Sequence, residues 1–144
     1  MRNDALANLA DAYAWTLMAQ RIPYIWGGDS PWGADCSGEV ILVLQSVGLF
    51  PYRQDTTADG LWHRYQRTES PAKGCLVFYG ANSTASHVGW VTTVIDGGAY
   101  QIEAGGGGSK NTTVEQAIKD RAYVRLSPVS RRTDVLGYCD PFQT

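Results

Sequence analysis

The run Pro23-Tyr24-Ile25-Trp26-Gly27-Gly28-Asp29-Ser30-Pro31-Trp32-Gly33-Ala34-Asp35-Cys36-Ser37-Gly38-Glu39-Val40-Ile41-Leu42-Val43-Leu44 changes character at Asp35. Its first half is bent by glycine and proline and suits a loop, whereas Val40 to Leu44 is an unbroken apolar stretch. The switch predicts a helix that begins near Cys36, with Asp35 or Ser37 as its cap, and stops near Val47 before Gly48. A thiol placed there meets the unpaired N–H groups and the positive end of the helix, which favour a thiolate and can receive an oxyanion. The same residues also fit a capped core helix in which Cys36 is a small buried side chain.

Toward the N-terminus, Leu6, Leu9, Ala10, Tyr13 and Leu17 recur at helical spacing and predict a packing helix over 3–20, with Asn3 or Asp4 as cap. On the other side, Thr56-Thr57-Ala58-Asp59 reads as a cap and a short helix through Tyr65. Beyond Pro71 the period becomes that of strands: 75–79, 87–95 and, after the hairpin signal Asp96-Gly97-Gly98, 99–104. Residues 105–108 are glycine-rich and form a loop, but not a phosphate-binding one, because the lysine and helix of a P-loop are missing. A short helix near 114–119 and a strand at 122–126 follow, and the tail from Ser127 is expected to pack loosely or cap the sheet. Helices first and strands second predict an α+β fold, with the Cys36 helix packed on a small antiparallel β-sheet and residues 1–144 forming one domain.

At 144 residues, 44% of them hydrophobic, the chain is long enough for one real core. A net charge of −2 argues against capture of nucleic acid or of an anionic membrane, and basic residues cluster only at Arg131-Arg132. Cys36, Cys75 and Cys139 are odd in number and lack metal-ligand spacing, and His63 and His87 are the only histidines. Neither a disulfide framework, nor a metal site, nor any other cofactor is expected. No stretch approaches the ~18 apolar residues of a membrane span. The first residues carry acids and amides where a secretory leader would be apolar, so the expectation is a soluble chain made in the cytoplasm.

A thiol nucleophile needs a base, and His87 is the better candidate because it opens a strand in Ser86-His87-Val88-Gly89, where helix start and strand start can meet. His63 lies in the polar context Trp62-His63-Arg64 and reads as structural. Trp26, Trp32 and Trp90 either floor a groove or belong to the core. Taken together, Pro-Tyr-Ile-Trp-Gly-Gly at 23–28, Asp-Cys-Ser-Gly at 35–38, Thr-Thr-Ala-Asp at 56–59, Gly74-Cys75-Leu76-Val77-Phe78 and Ser86-His87-Val88-Gly89 resemble the NlpC family of bacterial cell-wall cysteine peptidases.

The resemblance implies a papain-like fold and hydrolysis of an amide bond in peptidoglycan stem peptides, often between D-glutamate and a diamino acid. Cys36 would be the nucleophile, His87 the base, and Glu103, in Tyr-Gln-Ile-Glu-Ala at 100–104, the residue that orients His87. Gln101, on the same strand face, is the alternative residue for that role. A regular hairpin centred on Gly97 would set His87 near Gly107, so a bulge or a longer turn is needed to bring Glu103 opposite. Tyr24 would stand near the sulfur and help bind the oxyanion, and Asp35 and Ser37 match positions that hold a free substrate amine in some relatives. Two residues depart from the pattern: Cys75 replaces an aspartate and is expected to be buried, as is Cys139, and Glu39 replaces an apolar residue. Glu39 suits the helix dipole but opposes a thiolate. With no leader and no wall-binding segment evident, the expectation is a phage lysin or tail-associated protein, exported by a holin or carried in a virion, with a bacterial effector as the alternative. A papain-like acyltransferase or amidase acting on another amide or ester is a second reading, and a wall-binding module without turnover a third.

Overall fold

Asn3 opens the first helix, its side chain accepting from the Leu6 N–H at 3.1 Å. That helix, α1, runs Asp4–Ala19 in the computed structural model, which describes residues 1–143. Its buried stripe is Ala7, Ala10, Ala14 and Leu17, so its backbone comes close to what it covers. Leu9, expected inside, is 62% exposed, because at 100° per residue it falls about 120° from the centre of that stripe.

The glycine loop makes a two-stranded ribbon, β1 (Asp29–Ser30) and β2 (Gly33–Ala34), and α2 (Cys36–Ser46) starts where the apolar run predicts. Asp35 is its cap: Oδ1 accepts from the Gly38 N–H at 2.8 Å and Oδ2 from the Gly27 N–H at 3.0 Å. One carboxylate therefore ties the loop to the start of the helix. Ser37 through Leu44 are all buried, which makes α2 the central helix. Gly38 is needed there, since a Cβ would run into the carbonyl oxygen of Gly28. Helix α3 (Ala58–Arg64), capped by Thr57, is fastened to the sheet by Asp59 Oδ1, which accepts from the Ala85 N–H at 2.9 Å.

Strands β3 (Gln66–Thr68), β4 (Leu76–Ala81), β5 (Thr84–Ile95), β6 (Gly98–Gly105), β7 (Tyr123–Pro128) and β8 (Val135–Asp140) form one antiparallel sheet in the order β3-β8-β4-β5-β6-β7. Helix α4 (Val114–Asp120) joins β6 to β7, and a single 3-10 turn, Val129–Arg131, follows β7. The architecture is the expected α+β arrangement of helices against an antiparallel sheet, with two local differences. Asn82 and Ser83 take positive φ (54° and 65°) and turn the chain tightly, so β5 starts at Thr84 and His87 lies inside the strand, opposite Tyr79. The tail neither packs loosely nor caps the sheet: β8 is inserted between β3 and β4, pairing Leu76 with Cys139 and Val77 with Tyr138. It satisfies a β4 edge that would otherwise carry unpaired backbone groups.

Between β5 and β6 the chain turns at Asp96 and Gly97, again with positive φ. From that turn the register runs Ile95↔Gly98 and Thr93↔Tyr100, but beyond Thr92 it becomes Val91↔Gln101 and Trp90↔Ile102. Thr92 is a bulged residue. Because side chains alternate between faces, this one-residue slip brings the odd-numbered residues of both strands onto the same face. Without it, Glu103 would stand across from Trp90 and away from His87. The alternation also divides the core. Phe78, Val88, Trp90, Ile102 and Ala104 pack with the helices, whereas Val77, Tyr79, Val91 and Val129 form a second cluster. Cys139 belongs to the first cluster and Cys75 to the second, both fully buried.

Candidate active site

Cys36 is the first residue of α2 and is partly buried. The backbone amides of Val88 and Ser37 favour its thiolate, and it lines one cavity with His87. Burial pushes the thiol up to about 11; the two amides pull the other way, and the charge of Asp35 adds to the burial. The activation expected from the helix terminus is thus outweighed in the resting site, and the thiol keeps its proton.

His87 Nε2 lies 2.6 Å from Glu103 Oε1, leaving Nδ1 as the nitrogen available toward the cleft that His87 lines with Cys36. Gln101, on the same strand face, turns elsewhere: its Nε2 donates to the Tyr79 hydroxyl at 2.7 Å. Gly89 makes room for it, since a Cβ there would occupy the place of Gln101 Oε1.

Glu103 is fully buried. Besides His87, the Ser127 hydroxyl donates to it, and Arg131 grips both oxygens through Nε and Nη2, each at 2.6 Å. Burial works against the charge, but the hydrogen bonds from His87, Arg131 and Ser127 prevail and hold the carboxyl well below the usual range. Sequence reasoning misses Arg131 and Ser127. The available signal is Arg131-Arg132, the only basic pair in the chain, since a buried acid on a strand demands a cation somewhere. Glu39 is the opposite case. It too is fully buried, yet neither oxygen has a partner among the described residues. Burial, reinforced by the Glu103 charge, drives its carboxyl well above the ordinary value, so it carries a proton.

Two cavities flank the sulfur. One, of about 340 Å³, is lined by His87, the loop 105–108, Arg131 and Arg132. The other, of about 510 Å³, is lined by Asp35, Ser37, Asp55 and Thr57. Tyr24, Trp26, Cys36 and Ser86 border both, so Cys36 lies between a cavity lined by Arg131 and Arg132 and one lined by Asp35 and Asp55. Tyr24 is buried, and burial together with the nearby Cys36 and Asp35 raises its hydroxyl further, keeping it a neutral donor. A side chain at Gly107 would strike the Tyr24 ring, so the glycine loop is shaped around that tyrosine. Asp35 also accepts from Ser37 Oγ at 3.2 Å. Trp32 is 86% exposed and borders neither cavity, and Trp90 is core, its Nε1 donating to Asp11 Oδ1 at 2.9 Å. His63 is exposed on α3, with Nδ1 2.9 Å from the Asp59 carbonyl. Among the described residues no three metal-ligating side chains gather, and no helix is long and apolar enough to cross a membrane.

The family model of the NlpC/P60 family matches residues 21–126. Among solved structures, an NlpC/P60 family protein from Bacillus cereus ATCC 10987 is 20% identical with a TM-score of 0.71, over 95% of this chain and 40% of that one. The NlpC/p60 domain of the peptidoglycan hydrolase SagA is 21% identical with a TM-score of 0.66, over 93% of this chain and 97% of that domain. A lipoprotein-like NLP/P60 family protein from Staphylococcus aureus Mu50 is 19% identical with a TM-score of 0.71, over 99% of this chain and 43% of that one. The chain thus spans less than half the length of the Bacillus and Staphylococcus proteins.

Proposed function

The chain belongs to the NlpC/P60 family, and from that footing we propose that it is a cell-wall hydrolase: a cysteine peptidase cleaving amide bonds in peptidoglycan stem peptides, with the bond between D-glutamate and a diamino acid as its target. The observation that carries the reading is that Cys36, at the start of the central helix, lines the same cavity as His87, whose ring is held by the buried Glu103 carboxylate. SagA, which is named a peptidoglycan hydrolase, matches over almost its whole domain and supports the substrate class.

The chemistry follows from the protonation states. A thiol pushed up to about 11 is protonated at neutral pH, so His87 acts as a general base during attack rather than after forming a resting ion pair. Nδ1 takes the proton as sulfur adds to the carbonyl, and Nε2–H stays on Glu103, which stabilises the imidazolium. The Cys36 N–H and the Tyr24 hydroxyl receive the oxyanion. His87 returns the proton to the leaving amine, and water, activated by the same base, hydrolyses the thioester. Asp35, Ser37 and Asp55 make the cavity they line a place for a free substrate amine. Residues 1–144 act as one catalytic domain. The test is digestion of purified peptidoglycan by the wild type and by Cys36→Ala, with released fragments identified by mass spectrometry. Fragments ending at D-glutamate that require the thiol are expected. Release by both proteins, or by neither, would overturn the reading.

A further inference from the structure

Glu39 on α2 and Glu103 on β6 are both wholly buried, and the charge of Glu103 opposes ionisation of Glu39. They differ in donors. Glu103 receives hydrogen bonds from His87, Ser127 and two nitrogens of Arg131, whereas Glu39 receives none among the described residues. A buried carboxylate without donors is costly, so the pair holds one charge, and that charge sits where Arg131 is.

The state of Glu103 decides that of His87. An ionised carboxylate only accepts, so Nε2 carries the hydrogen and Nδ1 presents a lone pair to the thiol. A protonated Glu103 can donate to Nε2 instead, which moves the ring hydrogen to Nδ1, and the ring then cannot take the proton from sulfur. We propose that Arg131 is a positioning residue that confines the negative charge of the buried Glu39–Glu103 pair to Glu103, and thereby fixes His87 in the tautomer competent to act as base. The inference rests on His87 being the base of the reaction proposed above.

The surroundings leave this task to Arg131. Around Glu103 and His87 are Tyr79 from β4, with its ring 5.6 Å from the imidazole, Glu39 from α2, Cys36 in the cavity that His87 lines, and Ser127 and Arg125 from β7. Arg125 carries its guanidinium alongside Gly105 and Gly106. Beyond the 3-10 turn, Arg132 is paired with Asp134 at 2.6 Å. Among the described residues, Arg131 is the arginine that grips the Glu103 carboxylate.

The test reads the tautomer directly. In a His63→Gln background, nitrogen-15 NMR of the His87 ring is recorded for the parent, Arg131→Met and Arg131→Lys across acid to mildly alkaline pH. The parent is expected to hold its hydrogen on Nε2, and Arg131→Met to shift it to Nδ1. On a synthetic L-alanyl-γ-D-glutamyl-diaminopimelate tripeptide, Arg131→Met should lose kcat by about 10²-fold, the lower end of what a positioned base supplies, with KM little changed and the acid limb of the pH profile moved upward. Arg131→Lys, which keeps the charge but cannot bridge both oxygens, should fall between. A parent tautomer and pH profile in Arg131→Met would overturn the proposal. If that variant does not fold, Arg131→Lys decides: parent-like tautomer, kcat and pH profile together would overturn it. Because the tautomer is read without substrate, a parent that leaves the tripeptide intact counts against the hydrolase reading alone.

Discussion

With no exposed surface and neither oxygen hydrogen-bonded among the described residues, Glu39 keeps its proton in the folded chain. Its folded pKa lies above the unfolded value of about 4.3. The native state therefore retains a proton that the unfolded chain releases; the contribution is full below about pH 4.3 and declines as pH rises toward the folded value. Glu39→Met removes that dependence along with a buried unpartnered group, and should stabilise by about 1–3 kcal/mol at pH 8 and by much less at pH 4. Thermal melts at the two pH values check it, and an equal gain at both would place Glu39 in its charged form. At this scale the sequence was informative for Cys36, His87 and Glu103, whose neighbours in the chain form recognisable stretches. It was silent on Arg131, because the acid that it holds is 28 residues away and only a folded sheet brings the two together.

Among the elements, α2 was the most legible, since an abrupt change from glycine-rich loop to apolar run leaves few alternatives, and Asp35 caps it as its residue type suggests. What the pattern could not give is how closely the β1–β2 ribbon lies on the first turn. That contact depends on Gly38 facing the Gly28 carbonyl. Gly38→Ala sets a side chain against backbone that cannot swing aside, and a loss of about 1–3 kcal/mol is expected. Denaturant titration gives the value; a neutral or stabilised variant, as alanine in an exposed helix would be, would show that the ribbon yields. The boundary of β5 was misjudged for a related reason. Polar residues such as Thr84 and Ser86 look like loop until Asn82-Ser83 is seen to turn the chain in two residues.

For the molecule as a whole, the α+β class followed from the order of periodic segments, but the position of the last strand did not. Nothing in Val135–Asp140 says whether it lies at an edge or in the middle, because strand order is a property of pairing across the chain. Its central place makes a prediction. Truncation after Pro128 removes β8, strands β3 apart from β4, and takes Arg131 from Glu103. Such a chain should lose its cooperative thermal transition, and a truncated protein that still melts sharply would show that β8 is dispensable. The bulge at Thr92 bears on how this fold tolerates change in length. The alignment of His87 and Glu103 is kept by a count of residues, so dropping one residue between them harms it more than exchanging any of several, and dropping two is the milder injury. Descendants of this chain can be rewritten along that hairpin more freely than they can be shortened.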